Sequence, residues 1–305
     1  MARSRIRLIT NPVASGVTER SIAAAVKGLS EQCDVEVVAT TRQGHAVELA
    51  REAVELGFDA IAVLAGDGTA NEVLNGARAD LPVGALPAGG TSVLPRALGL
   101  PRDVRASASR IGDAVVRGRE RTINLGDVNG RRFSFAAGVG VDADAVRRVD
   151  AAGRPNGRRP GDMYFAAQIM RTLVSNRYRD PMLEVTLPDG TAFEGVSVLA
   201  ANTHPWSYIG PIPLKLAPHA SFEAGLDVVV PKNMHRRLLA RYASQLLVTG
   251  GHTRRDDRYL RYAHDIDWVS VICRTPLPLH VDGDDLGDVS EARFEIVRNA
   301  ARVLV

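Results

Sequence analysis

An α/β domain on a parallel sheet, followed by a β-sandwich domain, is the fold class this 305-residue sequence predicts. Three observations carry it. In residues 1–120, short apolar runs alternate with segments of helical period. In residues 121–289, strand-like runs are joined by Asn-Gly or Asp-Gly turns. Each glycine-rich turn of the first part follows a strand-like run, so these turns collect at one edge of the sheet, outside the carboxyl ends of its strands.

The elements follow in order. Ile6–Thr10 reads as the first strand, Asn11-Pro12-Val13-Ala14-Ser15-Gly16 as a turn and Thr18–Leu29 as a helix. Val35–Ala39 is the second strand. Thr40–Gly44 leads from it into a helix, His45–Leu56, whose Val47, Leu49, Ala50, Ala53 and Val54 recur at helical spacing. Ala60–Ala65 is an unbroken apolar run that ends at glycine, so it reads as a strand buried on both faces. Val83–Leu86 is the fourth strand. It enters Pro87-Ala88-Gly89-Gly90-Thr91-Ser92, then a short helix toward Arg96 and Leu98, and Val104–Val116 is a further helix.

Past Arg119 the pattern changes. Thr122–Val128 with Arg131–Ala137, and Val185–Leu187 with Phe193–Ala201, read as hairpins. Later strands fall at Leu226–Val230, Trp268–Cys273, Leu277–Val281 and Phe294–Val297. Helices are expected near Met163–Ser175 and His235–Val248. Asp150–Gly161, rich in Gly, Pro and Arg, reads as a mobile loop.

The formal net charge is +3, so no nucleic-acid partner follows from charge. The positive charge is nearly all arginine; Lys27, Lys215 and Lys232 are the only lysines. Cys33 and Cys273 show no ligand spacing and point to a reducing compartment. The basic start is followed by too short an apolar run for a signal peptide, and no run approaches transmembrane length. A cytoplasmic protein is expected, with any membrane contact peripheral.

The stretch with the most chemistry is Ala60–Gly76, AIAVLAGDGTANEVLNG. A strand, a glycine turn (Gly66, Asp67, Gly68) and a helix N-terminus suit phosphate, because backbone N–H groups and the helix dipole point at the anion. Thr69 reads as the N-cap of the helix carrying Asn71, Glu72, Val73 and Leu74. Asp67 would repel a phosphate unless a cation lies between them. Phosphoryl-transfer sites meet that need with Mg²⁺ bridging carboxylate and phosphate oxygens. The G-x-G-x-x-G spacing of a dinucleotide pocket is absent.

With these residues in view, the chain resembles the diacylglycerol kinase catalytic family, which includes sphingosine and other lipid kinases. Gly66-Asp67-Gly68-Thr69-Ala70-Asn71-Glu72-Val73 is similar to the family's G-G-D-G-T-x-N-E-V motif, with Ala65 in place of its first glycine. Asn11-Pro12 with Ser15-Gly16 looks like its first nucleotide loop. Thr41 with Gly44-His45-Ala46 looks like a segment that helps hold the nucleotide. Pro87, Gly90-Thr91 and Arg96-Ala97-Leu98-Gly99 look like its P-x-G-T…A-R-x-L-G loop, and Val281-Asp282-Gly283-Asp284 like its V-D-G-E. Departures exist. Asp284 replaces glutamate, Ser92 and Val93 stand where Asn and Asp are common, and Val17 stands where Lys or Arg is common. Phe222–Asp227 resembles the D-D-G-x-L-D segment that holds a structural Mg²⁺ in some members; Ala224 takes its key acidic position, leaving Glu223 or Asp227 to substitute.

The resemblance implies a phosphofructokinase- and NAD-kinase-like nucleotide domain, a β-sandwich domain and a cleft between them, with residues 290–305 returning to the first domain. It implies transfer of the ATP γ-phosphate to a lipid hydroxyl, diacylglycerol being the leading substrate. On that reading Asn11, Ser15, Gly16, Thr41, Gly66, Asp67, Gly68, Thr69, Asn71 and Glu72 hold MgATP, and Gly89, Gly90 and Thr91 close over it. Asp67 is the Mg²⁺ ligand, and Asp284 is the base that accepts the lipid hydroxyl proton. Asn202–Gly210 could line the lipid entrance, although Trp206 and Tyr208 also suit a packed corner. His204, His252 and His280 lack partner spacing and read as structural or surface residues. Arg147, Arg148, Arg154, Arg158, Arg159, Arg171, Arg177 and Arg179, with Arg236, Arg237, Arg241, Arg254 and Arg255, suit an anionic membrane surface. A homodimer is compatible with the family; no motif decides it. The rival readings are an NAD or sugar kinase sharing the G-D-G turn, and a kinase-derived lipid-binding protein with little activity.

Overall fold

The computed structural model describes residues 3–152, 178–238 and 259–305, with residues 164, 167, 168, 170–172 and 242. It divides into two compact units, one reaching Ile123 and including Arg298–Val305, the other lying between Asn124 and Val297. No helix among the described residues is long and apolar enough to cross a membrane.

The first unit alternates strand and helix: β1 Arg5–Thr10, α1 Glu19–Leu29, β2 Asp34–Ala39, α2 His45–Glu55, β3 Ala60–Ala65, α3 Asp67–Ala77, β4 Val83–Pro87, α4 Val93–Ala97 and α5 Val104–Arg117. The strands are parallel in the order β4-β3-β1-β2. Burial follows position in the sheet. Every residue of β3 is buried, whereas β2, at the edge, is mostly exposed. Thr18 and Ser21 form a capping box that starts α1, and Asp103 caps α5 by accepting the Ala106 N–H at 2.8 Å. The helices pack as two pairs, α1 with α5 and α2 with α3. A Cβ on Gly76 would stand 2.5 Å from the Val47 carbonyl oxygen, so only glycine allows α3 this close to α2.

The second unit holds β6 Arg131–Phe133, β7 Ala136–Val139, α6 Val141–Ala151, β8 Leu183–Thr186, β9 Ala192–Gly195, β10 Val198–Ala201, β11 Ser207–Ile209, β12 Ile212–Leu214, β13 Leu226–Pro231, β14 Leu260–Ile266 and β15 Trp268–Val281. Two further strands, β5 Glu120–Val128 and β16 Asp284–Leu304, span the division between the units. The unit is mostly β, and its ladder branches at β15. Ser270–Cys273 pairs with β8, Leu279–Val281 pairs with β7, and the register against β16 shifts between Ile272 and Leu277. A bulged strand shared by two leaves is how a bent sheet folds over its own core. One leaf runs β15-β8-β9, the other β15-β7-β10-β13-β14.

Several elements differ from expectation. Arg131–Ala137 is broken at Ser134-Phe135, whose amides turn toward Asp282. Phe193–Ala201 is broken near Ser197, whose hydroxyl donates to the Val139 carbonyl at 3.0 Å. Trp268–Cys273 and Leu277–Val281 are one bulged strand. Helix α6, strand β14 and the β11–β12 hairpin were not anticipated by the pattern, and Asp150 and Ala151 belong to α6. The rest of Asp150–Gly161, and most of Met163–Ser175 and His235–Val248, lie outside the described residues.

Candidate functional site

The turns after β1, β3 and β4 meet at the carboxyl edge of the first unit's sheet. Asn11 donates its N–H to Leu64 O at 3.4 Å and its Nδ2 to Thr69 Oγ1 at 2.9 Å. Gly16 donates its N–H to Ala88 O at 3.0 Å, and a Cβ there would stand 2.5 Å from that oxygen. A Cβ on Gly89 would stand 2.9 Å from Gly66 Cα. Ser15, Gly16 and Gly90 are exposed in these turns, while Gly66, Gly68 and Thr91 are half-buried.

Helix α3 starts at Asp67, with extended Gly66 as its N-cap. Thr69 is therefore not the cap: Gly66 O already accepts the Ala70 N–H at 3.1 Å, and Thr69 lies within the first turn. No side chain caps α3. An uncapped helix start beside three glycine turns has the N–H donors and dipole that suit a phosphate, so these residues fit a nucleotide.

Asp67 is engaged from within the chain. Its Oδ2 accepts the Val93 N–H at 3.0 Å and its Oδ1 the Leu94 N–H at 3.1 Å. The carboxylate thus tethers α4 to α3 and supplies the cap that Ser92 does not give α4. Ser92, with φ near 50°, closes its own loop by exchanging hydrogen bonds with Gly89 N (3.2 Å) and O (3.1 Å).

Glu72 takes a different place from the one expected. Its carboxylate accepts the N–H groups of Gly44 (2.9 Å) and Ala46 (3.2 Å) and so closes the N-terminus of α2, which has no side-chain cap of its own. Asn71 is buried at 2% exposure, with its carbonyl bonded to Asn75 Nδ2 at 2.8 Å. Thr41 is exposed, and its N–H donates to His45 Nδ1 at 3.1 Å. Thr41 lies in the loop that Glu72 holds.

In the second unit the turn between β15 and β16 carries two aspartates with different surroundings. Asp282 is 3% exposed and accepts four hydrogen bonds: Ser134 N (2.7 Å) and Oγ (2.8 Å), Phe135 N (2.9 Å) and Ala136 N (3.1 Å). Burial pushes its carboxyl up, against the pull of these donors. Asp284 is half-buried where β16 begins, paired in register with Val281. Sequence reasoning missed Asp282 as the anchor of this turn. It also missed Asn202, fully buried, whose Nδ2 donates to Asn124 O (2.9 Å) and Ser134 O (3.0 Å). A polar residue directly after the apolar run Val198–Ala201 was the available signal.

Four further expectations meet the structure here. Asp227 is fully buried, and its oxygens are engaged by the Tyr262 hydroxyl and, at 2.6 Å, by His264 Nδ1. Among the described residues there is no group of three or more His, Cys, Asp or Glu that could hold a metal. Trp206 is packed at 5% exposure rather than open at an entrance, while Tyr208 is half-buried. His280 is buried against Asp142 at 2.7 Å. Arg147 and Arg148 pair with carboxylates of the chain rather than standing as free basic groups; Arg154, Arg158, Arg159, Arg177, Arg241, Arg254 and Arg255 lie outside the described residues.

Residues 5–128 match the diacylglycerol kinase catalytic domain model. A diacylglycerol kinase of Bacillus subtilis (strain 168) is 32% identical over 286 residues, which span 92% of this chain and 89% of that relative. A diacylglycerol kinase of Staphylococcus saprophyticus is 31% identical over 143 residues, 45% of each chain. A crystal structure of a diacylglycerol kinase from Bacillus anthracis str. Sterne shares the fold, with a TM-score of 0.72, 18% identity and coverage of 100% of this chain and 97% of that one. The chain belongs to the diacylglycerol kinase family.

Proposed function

We propose that the chain transfers the γ-phosphate of ATP to a lipid hydroxyl, with diacylglycerol as substrate and phosphatidic acid as product. The observation that carries this is the uncapped start of α3, with Asp67 in its first turn and the turns of Asn11–Gly16 and Ala88–Thr91 against it. Ser15, Gly66, Gly68 and Gly90 offer donors to the phosphates, while Gly16 and Gly89, whose N–H groups are bonded within the chain, let the turns approach closely. Asn11 and Thr69 are fixed against each other, and Thr41 lies in the loop held by Glu72. The Asp67 carboxylate, in the first turn of α3, is the group that would hold Mg²⁺. Bound MgATP supplies the phosphoryl group and the cation that offsets its charge.

Asp284 accepts the proton of the lipid hydroxyl as its oxygen attacks. Its carboxylate is one methylene shorter than the family's glutamate, so its turn must be held firmly. Asp282 does this through four donors. The lipid is met at an anionic membrane surface from the cytoplasmic side, where exposed Arg171 and Arg237 contribute to peripheral contact.

The test is phosphorylation by radiolabelled ATP of diacylglycerol, sphingosine, NAD and fructose 6-phosphate side by side. Labelled phosphatidic acid, dependent on Mg²⁺, is the expected product. Asp284→Asn and Asp67→Asn should each lower kcat by roughly 100-fold or more. Label in NAD or the sugar would establish the rival kinase. A parent rate no higher than that of Asp67→Asn would establish a lipid-binding protein without turnover.

A further inference from the structure

The strand leaving the Asp284 turn is crowded with acid: positions 282, 284, 285 and 288 are all aspartate. The neighbours of Asp284 have defined partners. Asp282 is held by the amides and hydroxyl of Ser134–Ala136. Asp285 is gripped by two nitrogens of Arg147, Nε to Oδ2 at 2.9 Å and Nη2 to Oδ1 at 3.1 Å. The third nitrogen of the same guanidinium, Nη1, reaches Asp288 Oδ1 at 2.5 Å. This is the planar two-point fork that arginine offers and lysine does not. Arg147 comes from α6, which packs on β15, and its side chain is 29% exposed. The hydrogen bonds with Asp285 raise its affinity for its proton further, so it stays charged at any working pH.

Other charged groups among the described residues lie on the elements packed against this strand. On α6, Asp142 faces His280 of β15 at 2.7 Å, Arg148 faces Asp144, and Asp150 accepts the Asp285 N–H at 3.3 Å. Strand β6 carries Arg131 and Arg132, and β7 carries no charged residue. Among the described residues, Arg147 is a cation bonded to both aspartates, Asp285 and Asp288, that follow Asp284 on its own strand.

We propose that Arg147 is a positioning residue for phosphoryl transfer: it fixes the start of β16 on which Asp284 stands and offsets the charge of Asp285 and Asp288 beside it. This rests on the reading of Asp284 as the base. Without Arg147, two uncompensated carboxylates raise the proton affinity of Asp284, and the base is lost at a higher pH. Without Asp285, Arg147 is in excess and the change has the opposite sign. A side chain that only stabilises the fold cannot produce both directions.

The experiment measures kcat and KM for ATP across pH, on diacylglycerol in mixed micelles, for the parent and four variants. Arg147→Met should raise the acidic limb of the kcat profile by about half to one pH unit and leave KM for ATP unchanged. Asp285→Asn should lower that limb, and Arg147→Met/Asp285→Asn should lie between the two. Arg147→Lys, which keeps the charge but loses the fork, should leave the limb in place while lowering kcat. An unmoved limb in Arg147→Met, or a limb moving the same way in Asp285→Asn, overturns the proposal. If Arg147→Met does not fold, Asp285→Asn decides alone. Asp284→Asn is run in parallel. Full activity there removes the base reading and this inference with it. Loss of activity there, with no limb shifts elsewhere, removes the inference only.

Discussion

Asp282 and Asp284 show how much is settled at a single residue. They are two positions apart in one turn, yet one faces four internal donors and the other stands half-buried at the head of a strand. Their order along Val-Asp-Gly-Asp does not say which turns inward. The decision comes from Ser134, about 150 residues earlier in the chain. His204 makes a related point about pH. Burial lowers its pKa from 6.5, with Lys215 and His219 adding repulsion, so it is neutral in the native state. The unfolded chain takes up that proton more readily. His204 therefore contributes stability above pH 6.5 that is lost as pH falls through the lowered native value. Thermal melts at falling pH should show the parent losing more Tm than His204→Gln; equal losses would remove His204 as the cause.

At the scale of elements, periodicity placed β1–β4 and α1–α5 of the first unit, because most carry an apolar run or stripe and several end at Gly, Pro or Asn. It failed where tertiary contacts supply the ends. Helix α6 has alternating Val-Asp-Ala-Asp-Ala, which reads as neither period cleanly. Strand β15 contains Arg274-Thr275-Pro276, which reads as a break; in the fold Pro276 lies where the register shifts and no ladder donor is needed. Helix α2 draws its cap from α3. Glu72→Ala should cost about 1–2 kcal/mol in urea unfolding and loosen amide exchange at Gly44–Val47, as loss of an anionic cap predicts. An unchanged midpoint would mean that water replaces the carboxylate at no cost.

For the whole molecule, the end of the chain matters to the first unit. Val303 pairs in parallel with Val83 of β4, and Ala301, Val303 and Leu304 are all but fully buried. Arg302 adds a two-point pair with Glu120 at 3.0 and 2.7 Å. Burying one Val or Leu side chain contributes about 1.5–3 kcal/mol, against a total stability of only ~5–15 kcal/mol for a domain. Deleting Arg298–Val305 should therefore lower the urea midpoint sharply or leave the protein insoluble, and it exposes the β4 edge to pairing with other chains. A deletion variant with the parent's melting curve would show that the last strand is dispensable.

The order of strands and helices in the first unit, its glycine edge and the family were all determined by the sequence, because each rests on neighbours a few residues apart. Which carboxylates anchor neighbouring elements was decided only by the tertiary structure. Asp67 caps α4, Glu72 caps α2, Asp282 takes the Ser134 amides and Arg147 takes Asp285. Such pairings depend on donors brought together by folding, and no local pattern carries that information.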